Sequence, residues 1–331
     1  MKQLYAIGNA LVDTEIKLSP EALSDLQIEK GVMTLIDDTT MATRQSQFKD
    51  TDKVKACGGS AANSLITASG LGTSCFFSSQ VANDDNGQFY TADLERQSIK
   101  SNLQPNTLPD GTTGTCFVMV TPDADRTMNT YLGISATLTR DVLDEIALKR
   151  SYIYYMEGYL VTSETGKDAA IRGRELATQN QVKTAITLSD PGIVSYFKDG
   201  LKEMIGSHVD YLFCNEAEAL AFADTTDLES AAKTLQSIAS TVIITIGEKG
   251  ALIYEQNTTH KIPGIPVNAI DTNGAGDAFA GAFLAGVCQN KSSEESGKLG
   301  CLAASQVVTV FGPRLSEEHF KVMTQTSKLA I

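Results

Sequence analysis

Short runs of apolar and β-branched residues recur along the chain: QLYAI (3–7), SCFFSSQV (74–81), TCFVMV (115–120), YIYYM (152–156), TAITL (184–188), DYLF (210–213), TVIITI (241–246) and ALIYE (251–255). Runs such as YIYYM and TVIITI barely alternate between apolar and polar, the pattern of strands buried on both faces. Between most of them lie segments of helical character, TGKDAAIRGRELATQN (165–180) and DLESAAKTLQSIAS (227–240) among them. From about residue 140 strand and helix alternate, which predicts a right-handed parallel α/β sheet covered on both faces. Residues 13–45 and 111–132 break that rhythm with Thr-rich alternation and turn signals such as PDAD. They predict a small β-rich excursion, inserted twice, that covers a ligand site. No repeat, low-complexity tract or composition shift marks a second independent unit, so 1–331 reads as one domain.

Composition narrows the possible ligands. The 331 residues are 42% hydrophobic, enough for a sizeable core, and carry a net charge of −13. That charge argues against nonspecific binding of nucleic acid or anionic membranes. An anionic ligand would need local devices: helix N-termini, a bound cation or single Lys and Arg residues. No run reaches about 18 apolar residues, and the N-terminus resembles no signal peptide. The six cysteines form no C-x-x-C pair and sit mostly in apolar runs, which predicts buried free thiols in a reducing compartment. The three histidines show no ligand spacing, so zinc is not expected. A cytoplasmic chain, monomer or homodimer, is the expectation.

One stretch stands out from this frame. DTNGAGDAFAGAF (271–283) follows the Pro/Gly-broken IPGIPVNAI and opens an apolar run that continues through LAGV. Asp271 and Thr272 end the irregular segment, Asn273 to Gly276 form a turn, and Asp277 begins a helix. Glycine lets successive backbone N–H groups point into one concavity with no Cβ in the way. With the helix dipole they make an anion site carrying about half a positive charge. Asp277 beside such a site has two readings. A carboxylate in the first turn favours helix initiation and need do nothing more. Next to a bound phosphate it would repel its ligand unless it served as a base. It would then take the proton from an attacking hydroxyl while the Gly274-Ala275-Gly276 amides hold the developing charge. The same amides are expected to favour ionisation of Asp277. The run is not a G-x-x-x-x-G-K-[ST] phosphate loop, and Phe279 occupies the third glycine position of a dinucleotide fingerprint.

Resemblance goes further than spacing. DTNGAGDAF is similar to the C-terminal signature of the ribokinase-like (PfkB) carbohydrate and nucleoside kinases. CGGSAAN (57–63) resembles that family's N-terminal signature, NEAE (215–218) its N-x-x-E motif, and TIGEKGALIY (245–254) the strand–Gly–strand element beside the nucleotide. Alone, Gly58-Gly59 could be a tight turn, Glu218 a helix-surface acid, and Gly247 with Gly250 a β-hairpin. Together, in the family's order over the whole chain, they carry the resemblance. It implies a three-layer α/β/α fold, a mainly parallel central sheet and a small β-rich lid. It also implies ATP, Mg2+ and, as a further candidate, K+. By position, Asp277 is the implied base, Gly274, Ala275 and Gly276 the anion hole, and Arg126 a lid arginine closing toward the phosphate. Gly58, Gly59 and Asn63 would approach the sugar, and Asn215, Thr245, Gly247 and Gly250 the nucleotide. Glu218 would organise magnesium, and Asp271 matches a potassium-holding position.

The front end resembles the adenosine-kinase branch of that family. IGNALVD (7–13) is similar to a run whose aspartate holds two ribose hydroxyls, which places Asn9 and Asp13 at the sugar. GTTGTCFVMVTPDADRTMNTYLG, SDPGIVSYF (189–197), VDYLFCNEAEALAFA (209–223) and GCLAASQVVTVFGPRL (300–315) are also similar to it. Met33 stands where that branch has a polar residue facing the base, and Gly192 where it has an aromatic. An aromatic plane for a base would then come from Tyr159, Tyr131 or Phe117. The expected activity is ATP-dependent phosphorylation of the 5′-hydroxyl of a ribonucleoside, adenosine first. The alternative is the same chemistry on a free ketose or 2-keto-3-deoxy sugar acid. A catalytically silent sensor is disfavoured by Asp277 and Glu218 together, and a dehydrogenase by the missing fingerprint.

Overall fold

The computed structural model describes residues 2–26, 28–52, 54–123 and 125–329. In chain order the strands are β1 (Gln3–Ile7), β2 (Leu11–Lys17), β3 (Met33–Leu35), β4 (Val54–Gly58), β5 (Ser74–Ser78), β6 (Ile99–Ser101), β7 (Thr113–Val120), β8 (Arg126–Gly133), β9 (Ile153–Glu157), β10 (Lys183–Thr187), β11 (Val209–Asn215), β12 (Ala239–Thr245), β13 (Gly250–Glu255) and β14 (Thr258–Pro263). Among the described residues the main sheet runs β14-β13-β12-β11-β10-β9-β1-β5-β6. Its strands from β12 to β6 pair in parallel, and β13 and β14 add an antiparallel hairpin at one edge. Helices lie on both faces, which makes the three-layer α/β/α ribokinase-like arrangement. The six cysteines are free and buried.

The unbroken apolar runs have a simple cause. Along β1, Leu4 and Ala6 enter one core while Tyr5 and Ile7 enter the other. Along β9, Ile153 and Tyr155 divide from Tyr154 and Met156 in the same way. With both faces covered, no position is left for a polar side chain, so alternation disappears. Each fully buried aliphatic side chain contributes about 1.5–3 kcal/mol over exposure.

A second sheet, ordered β3-β8-β7-β2-β4, stands apart from the first. It draws on both stretches read as β-rich, with two differences. Within 13–45, helices Pro20–Asp25 and Asp38–Gln47 take much of the chain, capped by Ser19 and Asp37, whose side chains accept from the N–H groups of Ala22 and Thr40. β4 joins from outside those stretches and pairs antiparallel with β2.

Two helices, Ser60–Gly70 and Ala275–Cys288, are packed unusually closely. A Cβ on Gly281 would lie 2.1 Å from the carbonyl oxygen of Ser64, so the two helices touch backbone to backbone at that point. This brings their N-terminal turns together.

Candidate active site

In open parallel sheets, ligands bind beyond the carboxyl ends of the strands. Here the polar residues gather at that edge: Asn9 follows β1, Glu157 ends β9, Ser189 follows β10, Asn215 ends β11 and Thr245 ends β12. With the first turns of the two touching helices and one face of the small sheet, they line a cavity of about 320 Å³.

At one end lies the glycine loop. Gly274 caps the helix in the left-handed conformation (φ 76°), and a Cβ there would lie 2.6 Å from the Pro313 carbonyl oxygen. Ala275 donates its N–H to the Thr272 carbonyl at 3.3 Å. The N–H groups of Gly276 and Asp277 belong to a first turn that offers no helical acceptor, and a Cβ on Gly276 would meet nothing within 4 Å. The loop therefore presents donors to open space.

Asp277 faces the cavity from this turn. Its Oδ1 accepts from Ser60 Oγ at 2.6 Å and its Oδ2 from Asn63 Nδ2 at 3.1 Å. Burial pushes its carboxyl above the ordinary range, opposed by those two bonds and by the charges of Arg126 and Arg314. Desolvation thus outweighs the amide field expected to favour ionisation, a pattern that suits a base. Arg126 also lines the cavity, and its Nη1 donates to Asn273 Oδ1 at 2.8 Å. Asn273 Nδ2 in turn donates to Glu15 Oε1 at 3.1 Å, tying the loop to β2 of the small sheet. Asp271 stands behind the loop, outside the cavity lining. Its Oδ1 accepts the Asn273 N–H at 2.8 Å and its Oδ2 the Gly312 N–H at 2.9 Å.

The cavity also has a polar floor, which reaches Asp277 through Asn63, and an apolar wall. Asp13, Asn9, Gly59 and Asn63 line the floor. Burial, then the nearby Glu15, raise the Asp13 carboxyl to about 8. Gly58 lies just outside the lining and makes room for Asp13. Glu157, wholly buried, accepts the Asn9 N–H at 2.6 Å and the Ala61 N–H at 2.9 Å, joining the corner after β1 to the Ser60–Gly70 helix. Burial raises its carboxyl to about 7. The wall is Leu11, Met33, Leu35, Met128 and Leu132 from the small sheet, and Tyr159 also lines the cavity. Of the aromatic candidates only Tyr159 reaches the cavity. Phe117 stacks on Phe48 in a separate core, against which Tyr131 also packs, because alternation turns both to the other face of the sheet.

On the β11 and β12 side, Asn215 and Glu218 form a capping box. Asn215 Oδ1 accepts the Glu218 N–H at 2.8 Å, and Glu218 Oε2 accepts the Asn215 N–H at 3.1 Å. Burial raises the Glu218 carboxyl to about 7. Asn215, Glu218 and Thr245 line the cavity, whereas Gly247 and Gly250 do not. Those glycines turn the β12–β13 connection, both at positive φ. Sequence reasoning passed over Ser60, Glu157, Asn273 and Arg314. A charged residue closing a buried strand, as in YIYYMEG, was a usable signal for Glu157.

The pattern described as pfkB family carbohydrate kinase matches residues 32–319. The chain belongs to that family. A pfkB kinase of this size has full-length relatives. Adenosine kinase of Saccharomyces cerevisiae is 28% identical, over 95% of this chain and 97% of its own. Among solved structures, adenosine kinase from Sinorhizobium meliloti superposes with a TM-score of 0.93 at 31% identity, covering 100% of this chain and 99% of that one. A probable sugar kinase from Rhizobium etli gives 0.92 at 32%, covering 99% and 98%.

ATP and, typically, magnesium go with such a kinase. No group of three or more His, Cys, Asp or Glu side chains among the described residues is arranged to hold a metal. Glu218 lines the cavity with both oxygens engaged, Oε2 by the Asn215 N–H and Oε1 by Asn215 Nδ2 at 2.6 Å, so it would act on magnesium through the ion's retained waters. Among the described residues no helix is long and apolar enough to cross a membrane.

Proposed function

We propose that the chain transfers the terminal phosphate of ATP to the 5′-hydroxyl of a ribonucleoside, with adenosine as the first candidate. The observation that carries this reading is the lining of a single cavity. Asp277 and the glycine loop, the Asp13 floor, and an apolar wall of Leu11, Met33, Leu35, Met128 and Leu132 line the same space. A free sugar has no use for that wall, whereas a base does.

The chemistry follows from the side chains. Asp277, held between Ser60 and Asn63, takes the proton of the 5′-hydroxyl as its oxygen bonds to the terminal phosphorus. The bond from that phosphorus to the bridging oxygen breaks, and ADP leaves. The Gly276 and Asp277 N–H groups and the Arg126 guanidinium hold the charge on the transferring group. Asp13 accepts both ribose hydroxyls, and the small sheet serves as a lid. Magnesium, when bound near Glu218, neutralises phosphate charge. Both Asp271 oxygens hold backbone N–H groups, so its role on this reading is to brace the loop.

A coupled ADP-release screen tests this. Adenosine should be phosphorylated, with ribose and fructose far behind. Loss of one ribose hydroxyl leaves a buried carboxyl short of a partner, at a cost of about 1–3 kcal/mol. 2′-Deoxyadenosine should therefore be at least ~10-fold poorer, and Asp13→Ala should erase most of that gap. Efficient turnover of fructose or a keto-deoxy acid without adenosine would replace the nucleoside reading with the sugar reading, for which the Rhizobium etli likeness is the supporting observation.

A further inference from the structure

Outside the cavity, a mostly buried arginine reaches toward Asp277. The Arg314 side chain is 14% exposed and pairs through Nη1 with Asp93, itself 4% exposed. Its Nε donates to Asn63 Oδ1 at 3.0 Å. Asn63 turns its other end to Asp277, Nδ2 donating to Oδ2 at 3.1 Å. A side-chain amide has one accepting and one donating end. Flipped, Asn63 would set its nitrogen against the guanidinium and its oxygen against the carboxylate, leaving Arg314 with Asp93 alone and Asp277 with Ser60 alone. Arg314 removes that flipped state.

We infer that Arg314 is a positioning residue for Asp277, acting through the amide of Asn63. This rests on Asp277 being the base, as proposed above. The segment that carries Arg314 is itself fixed to the loop. The Gly312 N–H bonds Asp271, and Pro313 lies so close to Gly274 that no Cβ fits between them. Three consecutive residues thus hold the loop from behind and orient the amide beside the base. Asp93 also pairs with Arg96.

Around Asp277 the charged and titratable groups are Arg126 and Arg314, the carboxyls of Asp13 and Glu157, and the phenols of Tyr155 and Tyr159. Arg314→Lys keeps a cation beside Asp93 but loses the fixed planar fork. It should lower kcat ~10- to 100-fold, the scale of a small misplacement of a catalytic group, with the KM for ATP within about twofold. In an Asn63→Ala background the same change should lower kcat by less than about twofold, because the relay is already gone. Asp93→Asn, which leaves the Arg314–Asn63 bond in place, should lower Tm and leave kcat within about threefold. Wild-type kcat in Arg314→Lys would overturn the inference. So would a loss that persists in full without Asn63, or an equal loss in Asp93→Asn. Full turnover by Asp277→Asn would overturn the base assignment instead, whatever the Arg314 variants do.

Discussion

The carboxylate of Asp13 occupies the space where Gly58 would carry a side chain. A Cβ on Gly58 would lie 2.2 Å from each of the two Asp13 carboxylate oxygens. Gly58 ends β4 opposite Leu11, and Asp13 lies two residues further along β2, so both backbones are held by the sheet and the Asp13 side chain is what must move. Gly58→Ala should therefore act on Asp13 rather than on the fold. Expected is a fall in nucleoside kcat/KM of ~100-fold, the scale of a misplaced binding group, with the KM for ATP little changed. The double variant Gly58→Ala/Asp13→Ala should be no worse than Asp13→Ala alone. Additive losses in steady-state kinetics would show that Gly58 serves something other than Asp13.

Asp277→Asn keeps the shape of the side chain and cannot accept a proton. Turnover should drop roughly 10²- to 10⁴-fold, with nucleoside and ATP binding by calorimetry close to wild type. Near-full turnover would remove Asp277 from the chemistry. In the unaltered protein, kcat/KM should fall on the acid side as one proton binds, at a pH above the ordinary carboxylate range, because burial raises this group.

Glu218→Gln should raise the magnesium concentration needed for half-maximal rate and leave nucleoside KM unchanged. The amide retains an oxygen for the Asn215 N–H but sets its NH2 against Asn215 Nδ2, which donates to Glu218 Oε1 at 2.6 Å, so the helix start should weaken by ~1–2 kcal/mol and still form. A magnesium titration that superposes on wild type would reduce Glu218 to a helix cap.

Asp13, Glu15 and Glu157 have carboxyls raised chiefly by burial, to about 8, 7 and 7. Their folded forms bind protons more tightly than the unfolded chain, whose carboxyls titrate near ~4. The stability they contribute is complete below ~4 and is lost as pH climbs through about 7 to 8. Thermal melts of the unliganded protein should thus fall between pH 6 and 8.5, on the order of 5 °C. Glu15→Gln, neutral throughout, should flatten part of that slope. Melts that rise over the interval would contradict the burial of these acids.

The main sheet was legible because each of its inner strands fills two cores at once, which leaves an uninterrupted apolar run such as YIYYM. The small sheet was harder to read. Thr-rich residues 13–45 suggested strands, yet Ser19 and Asp37 are helix caps there. β4 was missed because Val54 and Lys55 are exposed and the strand has little apolar character. Asp277, Asp13, Asn63 and Glu218 could be placed by resemblance because they sit in short motifs. Arg314 lies in GCLAASQVVTVFGPRL (300–315), a similar run to which no role was attached, and its partner Asn63 lies 251 residues away along the chain. Only folding brings the two together. Asp271 was read as a metal ligand, but both its oxygens serve the backbone of its own surroundings.

Where Gly281 meets Ser64, main chain rests on main chain, and no side chain is available to adjust the gap. The distance between Asp277 and the turn carrying Ser60 and Asn63 is therefore a property of the polypeptide itself, hard for substitution to alter. The wall of Met33, Leu35, Met128 and Leu132 is made of interchangeable side chains on short strands. On the proposed reading, exchanging those side chains would change the acceptor while the spacing of Asp277 from Ser60 and Asn63 stays cast in place.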